Sequence, residues 1–179
     1  NLTHSLKVYK LNKVNIEKDI LKLIKLNIKK KISYNHLLRV AINNKLISIS
    51  LRERMTPKLK FNLKLISYKR IDPELKNLKY KLILKHLSKM DNTTSDVCLC
   101  YKKNILESGT SNIFLIKDDK IYSPKSGIYK GINYNFFKKK LGNIINDDIP
   151  IDSLPTYDEI ILIGSGKSVV SVQTINNIK

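Results

Sequence analysis

A mixed α+β fold is what this sequence of 179 residues predicts, and three observations carry that reading. Some segments repeat their apolar residues at helical spacing, while others are short apolar runs closed off by polar turns. The two kinds follow one another without a regular βαβ rhythm and without an internal repeat, so a doubly wound parallel sheet is disfavoured. The length is enough for a buried core and fits one domain or two small ones.

The elements are justified in chain order. Glu17 to Lys31 carries Ile20, Leu21, Leu23, Ile24, Leu26 and Ile28 with lysines between them, the pattern of an amphipathic helix. A lysine-rich outer face in water is the commoner use of such a helix than a membrane surface. His36 to Asn43 and Lys45 to Leu51 read as strands about an Asn43-Asn44 turn, and Leu63 to Tyr68 as another. Pro57 and Pro73 bracket the crossing between two units, a partial small α/β domain with its linker at 1–70 and a larger domain at 71–179. Leu75 to Met90 has helical spacing at Leu75, Leu78, Leu82, Ile83, Leu87 and Met90. Val97 to Tyr101, Ile113 to Lys117 and Lys120 to Tyr122 are strands, the last two joined across Asp118-Asp119. Gly131 opens a helix from Ile132 to Leu141 that closes near Gly142, and Glu159 to Ile163 and Val169 to Val172 are the final apolar strands.

Charge is the most conspicuous bulk property: 34 Lys+Arg against 15 Asp+Glu, a formal +19. The excess is mostly lysine and travels with abundant Asn and Ile, the signature of drift towards A/T-rich codons. Spread over the whole chain, it describes a solvated surface better than a dedicated nucleic-acid face. Cys98 and Cys100 stand at i and i+2, on one face of a strand and too close for a structural bridge, so they read as a small buried pair in a reducing compartment. The acceptor pattern Asn92-Thr93-Thr94 carries little weight without a secretory signal. Neither a signal peptide nor a membrane-spanning apolar run is visible, which predicts a soluble, cytoplasmic protein with no membrane partner. The chain opens on Asn1 within ordinary sequence, so a preceding segment is expected.

Three stretches have the residue types for chemistry, and no metal site is among them. Between apolar strands, Glu107-Ser108-Gly109-Thr110-Ser111-Asn112 sets one carboxylate in a cluster of small hydrogen-bonding residues. Glu107 is either a surface carboxylate or one that keeps a pyridine nitrogen protonated so that the ring becomes an electron sink. Gly131-Ile132-Asn133 exposes the N–H groups of a helix start, where negative charge is favoured. Gly164-Ser165-Gly166-Lys167-Ser168 ends like a nucleotide phosphate loop, but Ile161 stands where that motif needs a glycine. What remains is a turn that either holds a phosphate or simply connects two strands.

Taken in order, Leu75-Lys76-Asn77-Leu78-Lys79, Glu107 to Phe114, Ser123-Pro124, Gly131-Ile132-Asn133-Tyr134, and Asp158-Glu159-Ile160 to Gly164-Ser165-Gly166 resemble the class IV, or fold type IV, pyridoxal-phosphate enzymes. The resemblance covers residues 73 to 173. It implies a mixed α/β pseudo-barrel that binds pyridoxal 5'-phosphate and acts on a small-molecule amino substrate as a homodimer. By the same resemblance Lys79 is the catalytic Schiff-base lysine, with Lys76 and Lys81 as neighbours that compete for the role, and Glu107 pairs with the pyridine nitrogen. Ile132, Asn133, Ser165 and Gly166 hold the cofactor phosphate, while Thr110, Ser111 and Asn112 support the Glu107 loop. Two departures from the family pattern stand out: Lys81 to Ile83 follow the lysine, and Tyr134 replaces an arginine. The implied activity is a 4-amino-4-deoxychorismate lyase of folate synthesis, with branched-chain or D-amino-acid aminotransferase as the alternative. A truncated, catalytically decayed relative and a nucleic-acid binder driven by net charge are the non-enzymatic alternatives.

Overall fold

A computed structural model describes residues 2–11, 15–29 and 31–176, which leaves Asn1 and Lys30 of the sequence reading outside the described residues. The chain divides into two compact units, 1–54 and 55–179. The first holds α1 (Leu2–Val8), α2 (Ile16–Asn27) and an antiparallel hairpin of β1 (His36–Ile42) and β2 (Ile47–Glu53). Its turn is closed by the Asn43 side chain, whose Oδ1 accepts the N–H groups of Lys45 and Leu46 at 2.9 Å each. The helix α2 stops short of the expected Lys31 because Ile28 has already turned to extended backbone, φ −108° and ψ 117°.

The second unit consists of two five-stranded sheets. One has the order β11-β10-β6-β7-β8, from Ser168–Ser171, Glu159–Gly164, Asn112–Lys117, Lys120–Pro124 and Ile144–Asp147. The other has the order β12-β3-β4-β5-β9, from Thr174–Ile175, Asn62–Ser67, Ser95–Tyr101, Asn104–Ser108 and Ile149–Pro150. Strand β3, which the sequence reading put in the linker of the first domain, pairs in parallel with β4 and so belongs to the second unit. Strands β4, β5 and β6 and the end of β10 are buried on both faces, as their apolar runs require. Cys98, Cys100, Ile113, Leu115 and Leu162 point into one cluster, and their neighbours Val97, Leu99, Phe114 and Ile163 into another. Cys98 and Cys100 are free thiols inside the first cluster, and burial raises the pKa of both.

Helix α3 spans only Lys81–Leu87, where the sequence predicts Leu75 to Met90. Asn77 explains the difference. Its Nδ2 donates to the carbonyls of Ile71 and Asp72 at 2.9 and 3.1 Å, and its Oδ1 accepts the Lys79 N–H at 2.9 Å. A side chain that satisfies backbone groups in this way holds the segment as a loop despite its helical spacing. Helix α4 (Ile132–Leu141) has the predicted bounds, with three lysines in its last turn and Gly142 beyond it at φ 76°. Tyr134 pins α4 to the sheet. It is fully buried, meets Phe114 edge-on with ring centroids 5.3 Å apart, and its hydroxyl donates to Asn146 Oδ1 at 2.9 Å. Among the described residues no helix is long and apolar enough to cross a membrane.

Removing only the hydroxyl, as in Tyr134→Phe, is expected to cost about 1 kcal/mol in urea unfolding, the usual worth of one buried hydrogen bond. Tyr134→Ala is expected to cost about 3–5 kcal/mol, because a cavity opens where the ring meets Phe114.

Candidate active site

The site begins with an irregularity in a strand. The pairs Cys98↔Ser108 and Cys100↔Ile105 leave Leu99 opposite both Leu106 and Glu107, a bulge that re-aims the end of β5. Glu107 is 5% exposed, and a buried carboxylate needs partners. Arg70 Nε donates to its Oε1 at 2.7 Å and the Tyr129 N–H to its Oε2 at 3.1 Å, while Arg70 is itself oriented by the Pro73 carbonyl at 3.0 Å. Burial pushes the Glu107 carboxyl up to about 7; Arg70, the Tyr129 N–H and Lys76 restrain the rise.

Asn112 fixes the loop that crosses this carboxylate. Its Nδ2 donates to the Tyr129 carbonyl at 2.7 Å and its Oδ1 accepts the Gly131 N–H at 3.2 Å. One strand residue therefore sets the start of α4, whose N-terminal cap Gly131 makes no side-chain capping bond. The first intrahelical N–H to reach back is that of Asn135, to Gly131 at 3.1 Å. The amides of Ile132 and Asn133 lie ahead of it in the first turn, where an anion is favoured.

Ser111 adjoins Asn112 and faces the turn after β10. Its buried hydroxyl has no hydrogen-bond partner among the described residues. The ladder pairing Asn112 with Ile163 continues towards Ser111 and Gly164, and a Cβ on Gly164 would strike the Ser111 hydroxyl. Ser165 and Gly166 follow in the connection between β10 and β11. The turn after β10 and the start of α4 are thus both anchored on the pair Ser111 and Asn112.

Of the residues named from sequence, the structure brings Glu107, Asn112 and the first turn of α4 together, with Ser111 beside Gly164. Lys79 is not with them. Its Nζ pairs with Asp72 at 3.1 Å, and both side chains are about half exposed. Lys76, the competitor, has its Nζ 4.8 Å from the centroid of the Tyr129 ring and acts on the charge of Glu107. Leu75 and Leu78 precede Lys79 as the family's apolar positions do, but in the loop held by Asn77 the Lys79 side chain turns to Asp72. Arg70 and Tyr129 were missed from sequence. A signal for Arg70 existed: it is the single arginine of residues 55–179, a stretch otherwise rich in lysine. Tyr134, at the position of the family arginine, packs in the core and bonds Asn146, so the change alters how α4 is anchored.

The family profile of class IV amino-transferases matches residues 1–175. The chain belongs to the class IV aminotransferases. These are pyridoxal-phosphate-dependent enzymes, in agreement with the resemblance read from the five motifs. Solved structures share the class IV fold. A Legionella pneumophila protein assigned as a 4-amino-4-deoxychorismate lyase matches with a TM-score of 0.74 at 17% identity, over 99% of this chain and 75% of its own. The branched-chain aminotransferase of Escherichia coli gives 0.74 at 15% identity over 99% and 68%. That of Thermoproteus uzoniensis, solved with norvaline, gives 0.72 at 16% over 98% and 69%. Comparison with curated proteins finds no match.

The raised Glu107 group makes a signed prediction. Its folded value, about 7, lies above the ordinary 4.5, so the folded state holds a proton that the unfolded chain releases, and this group's contribution to stability declines as pH rises between the two. Arg70→Met removes a restraint and is expected to carry that decline beyond pH 7. Its cost in urea unfolding should be about 3–5 kcal/mol at pH 8, where a buried charge is left unpaired, and clearly less at pH 5. An equal cost at both pH values would contradict the assignment of this titration to Glu107.

Proposed function

We propose that this chain binds pyridoxal phosphate through Lys76 and works on the amino group of a small-molecule substrate. The observation that carries the proposal is an arrangement around one residue: Tyr129 gives its N–H to the buried Glu107 carboxylate while the Lys76 amine lies 4.8 Å from its ring centroid. The residues fit such a cofactor. The unpartnered Ser111 hydroxyl beside Gly164, and the uncapped start of α4, are polar groups in want of a ligand. When bound, the cofactor supplies an electron sink for the charge that develops at the substrate's α-carbon.

The chain's own groups divide the remaining work. Glu107 would accept the hydrogen bond of the protonated ring nitrogen; burial raises its carboxyl to about 7, and Arg70 and the Tyr129 N–H offset part of that rise in favour of the ionised form that this task needs. The N–H groups of Ile132, Asn133 and Gly166, with the Ser165 hydroxyl, hold the phosphate by hydrogen bonds from fixed backbone. Lys76 carries the cofactor and moves the proton at the substrate's α-carbon. In place of Lys79, Lys76 is preferred because Lys79 is committed to Asp72 at the surface. As the specific reaction we favour that of a 4-amino-4-deoxychorismate lyase, which releases pyruvate and an aromatic amine. The order and wording of the five motifs, which resemble compact bacterial sequences of that type, support that choice.

Mixing the protein with pyridoxal phosphate is expected to produce the absorbance band of lysine-bound cofactor. Lys76→Ala should abolish that band and lower turnover by about 10²–10⁴-fold, as loss of a positioned acid–base group does, while Lys79→Ala should keep both. Loss of the band in Lys79→Ala alone would return the role to Lys79. Pyruvate release from aminodeoxychorismate supports the lyase. Transfer of the amino group of leucine or valine to a keto acid, without pyruvate release, would replace it with the aminotransferase.

A further inference from the structure

The motif Gly164-Ser165-Gly166-Lys167-Ser168 contains a lysine that the proposed function leaves unused. It does not point into solvent. Lys167 is 10% exposed in its side chain, and its Nζ donates to Asp96 Oδ2 at 2.8 Å and to Thr110 Oγ1 at 2.9 Å, against the Phe61 ring. Asp96 has no exposed surface at all. Its Oδ2 also accepts the hydroxyls of Thr110 at 2.7 Å and Ser108 at 3.2 Å, and its Oδ1 the Val97 N–H at 2.7 Å. Gly109 must be a glycine beside this carboxylate, since a Cβ there would lie 2.7 Å from Asp96 Oδ1 and 2.8 Å from Val97 Cγ2.

The carboxylate thus gathers the whole turn that follows Glu107, and Lys167 reaches it from the turn that follows β10. The ladder between β6 and β10 ends at Asn112 and Ile163, and Gly164 pairs with Ser168 to close a three-residue connection. Ser168, which closes the connection, adopts a left-handed φ of 61°. Beyond the ladder, the Lys167 side chain is what ties Ser165 and Gly166 back to the loop of Glu107. A buried ion pair is weak evidence for stability, because desolvation offsets most of the attraction, and its better-attested use is to specify one arrangement.

We propose that Lys167 and Asp96 are positioning residues whose buried ion pair fixes the distance between the carboxylate end and the phosphate end of the cofactor site. The inference rests on the reading of Ser165 and Gly166 as phosphate-holding groups. Neither residue touches the cofactor: the pair acts through the turn that does.

The test compares pyridoxal phosphate with pyridoxal, which lacks the phosphate, by titrating each into the full chain and following absorbance. Wild type is expected to bind the phosphorylated form more tightly. Lys167→Met, and the double variant Lys167→Met with Asp96→Asn, which leaves no unpaired charge, are expected to lose about tenfold of that preference. Their affinity for pyridoxal should stay near that of wild type, and Lys167→Arg should restore much of the preference. A fold-only role would weaken both ligands by the same factor, or would lower the unfolding midpoint with the preference intact, and either result overturns the inference while leaving the proposed function standing. Wild type that binds both ligands equally overturns the phosphate assignment and the inference with it. Wild type that binds neither overturns the proposed function itself.

Discussion

A carboxylate removed from water must be met by positive charge or by donors, and the Glu107 site draws together three different parts of the chain. Arg70 comes from the segment after β3, Tyr129 from the loop before α4, and the carboxylate itself from a bulged strand end. Ionisation inside protein is tolerable only while these partners stay within hydrogen-bond reach. The positions of the 127–131 loop, of Asn112 and of the first turn of α4 follow from that requirement. The site is accordingly a place where the polar satisfaction of one group organises several loops, and the surrounding sheets supply rigid points of attachment.

The apolar framework explains why the polar groups collect where they do. Along β4, β6 and β10 successive residues alternate between two buried clusters, so neither face of these strands offers room for a ligand. The alternation breaks at Ser108 to Asn112, where side chains shrink and hydroxyls replace methyl groups. Gly109 and Gly164 border that gap, each with no space for a Cβ. Close packing thus confines the polar groups to these strand ends.

How much of this was legible in the sequence depended on how local the deciding interaction was. The strands around Glu107 and the bounds of α4 were readable because periodicity, Gly131 and Gly142 act within a few residues. The helix expected from Leu75 to Met90 was not, since the Asn77 side chain caps carbonyls that no periodicity reveals. That local detail separates Lys76 from Lys79, since the looped segment sends one towards Tyr129 and the other towards Asp72. The Asp96 and Lys167 pairing, 71 residues apart, left no trace in spacing. Strands as short as β9 and β12, two residues each, carry too few side chains to show alternation.

Strand β3 has its second neighbour very late in the chain. Thr174 and Ile175 pair with Asn62 and Leu63, the Gln173 N–H reaches the Phe61 carbonyl at 2.7 Å, and Asn176 Oδ1 accepts the Leu65 N–H at 2.9 Å. On a ribosome, one edge of this strand must wait for more than a hundred further residues before its partner exists. Until then the row of open N–H and C=O groups from Phe61 to Leu65 is a template for any extended segment nearby, including that of another nascent copy. Biosynthesis, more than the finished fold, is therefore the stage at which this molecule is most exposed to mispairing.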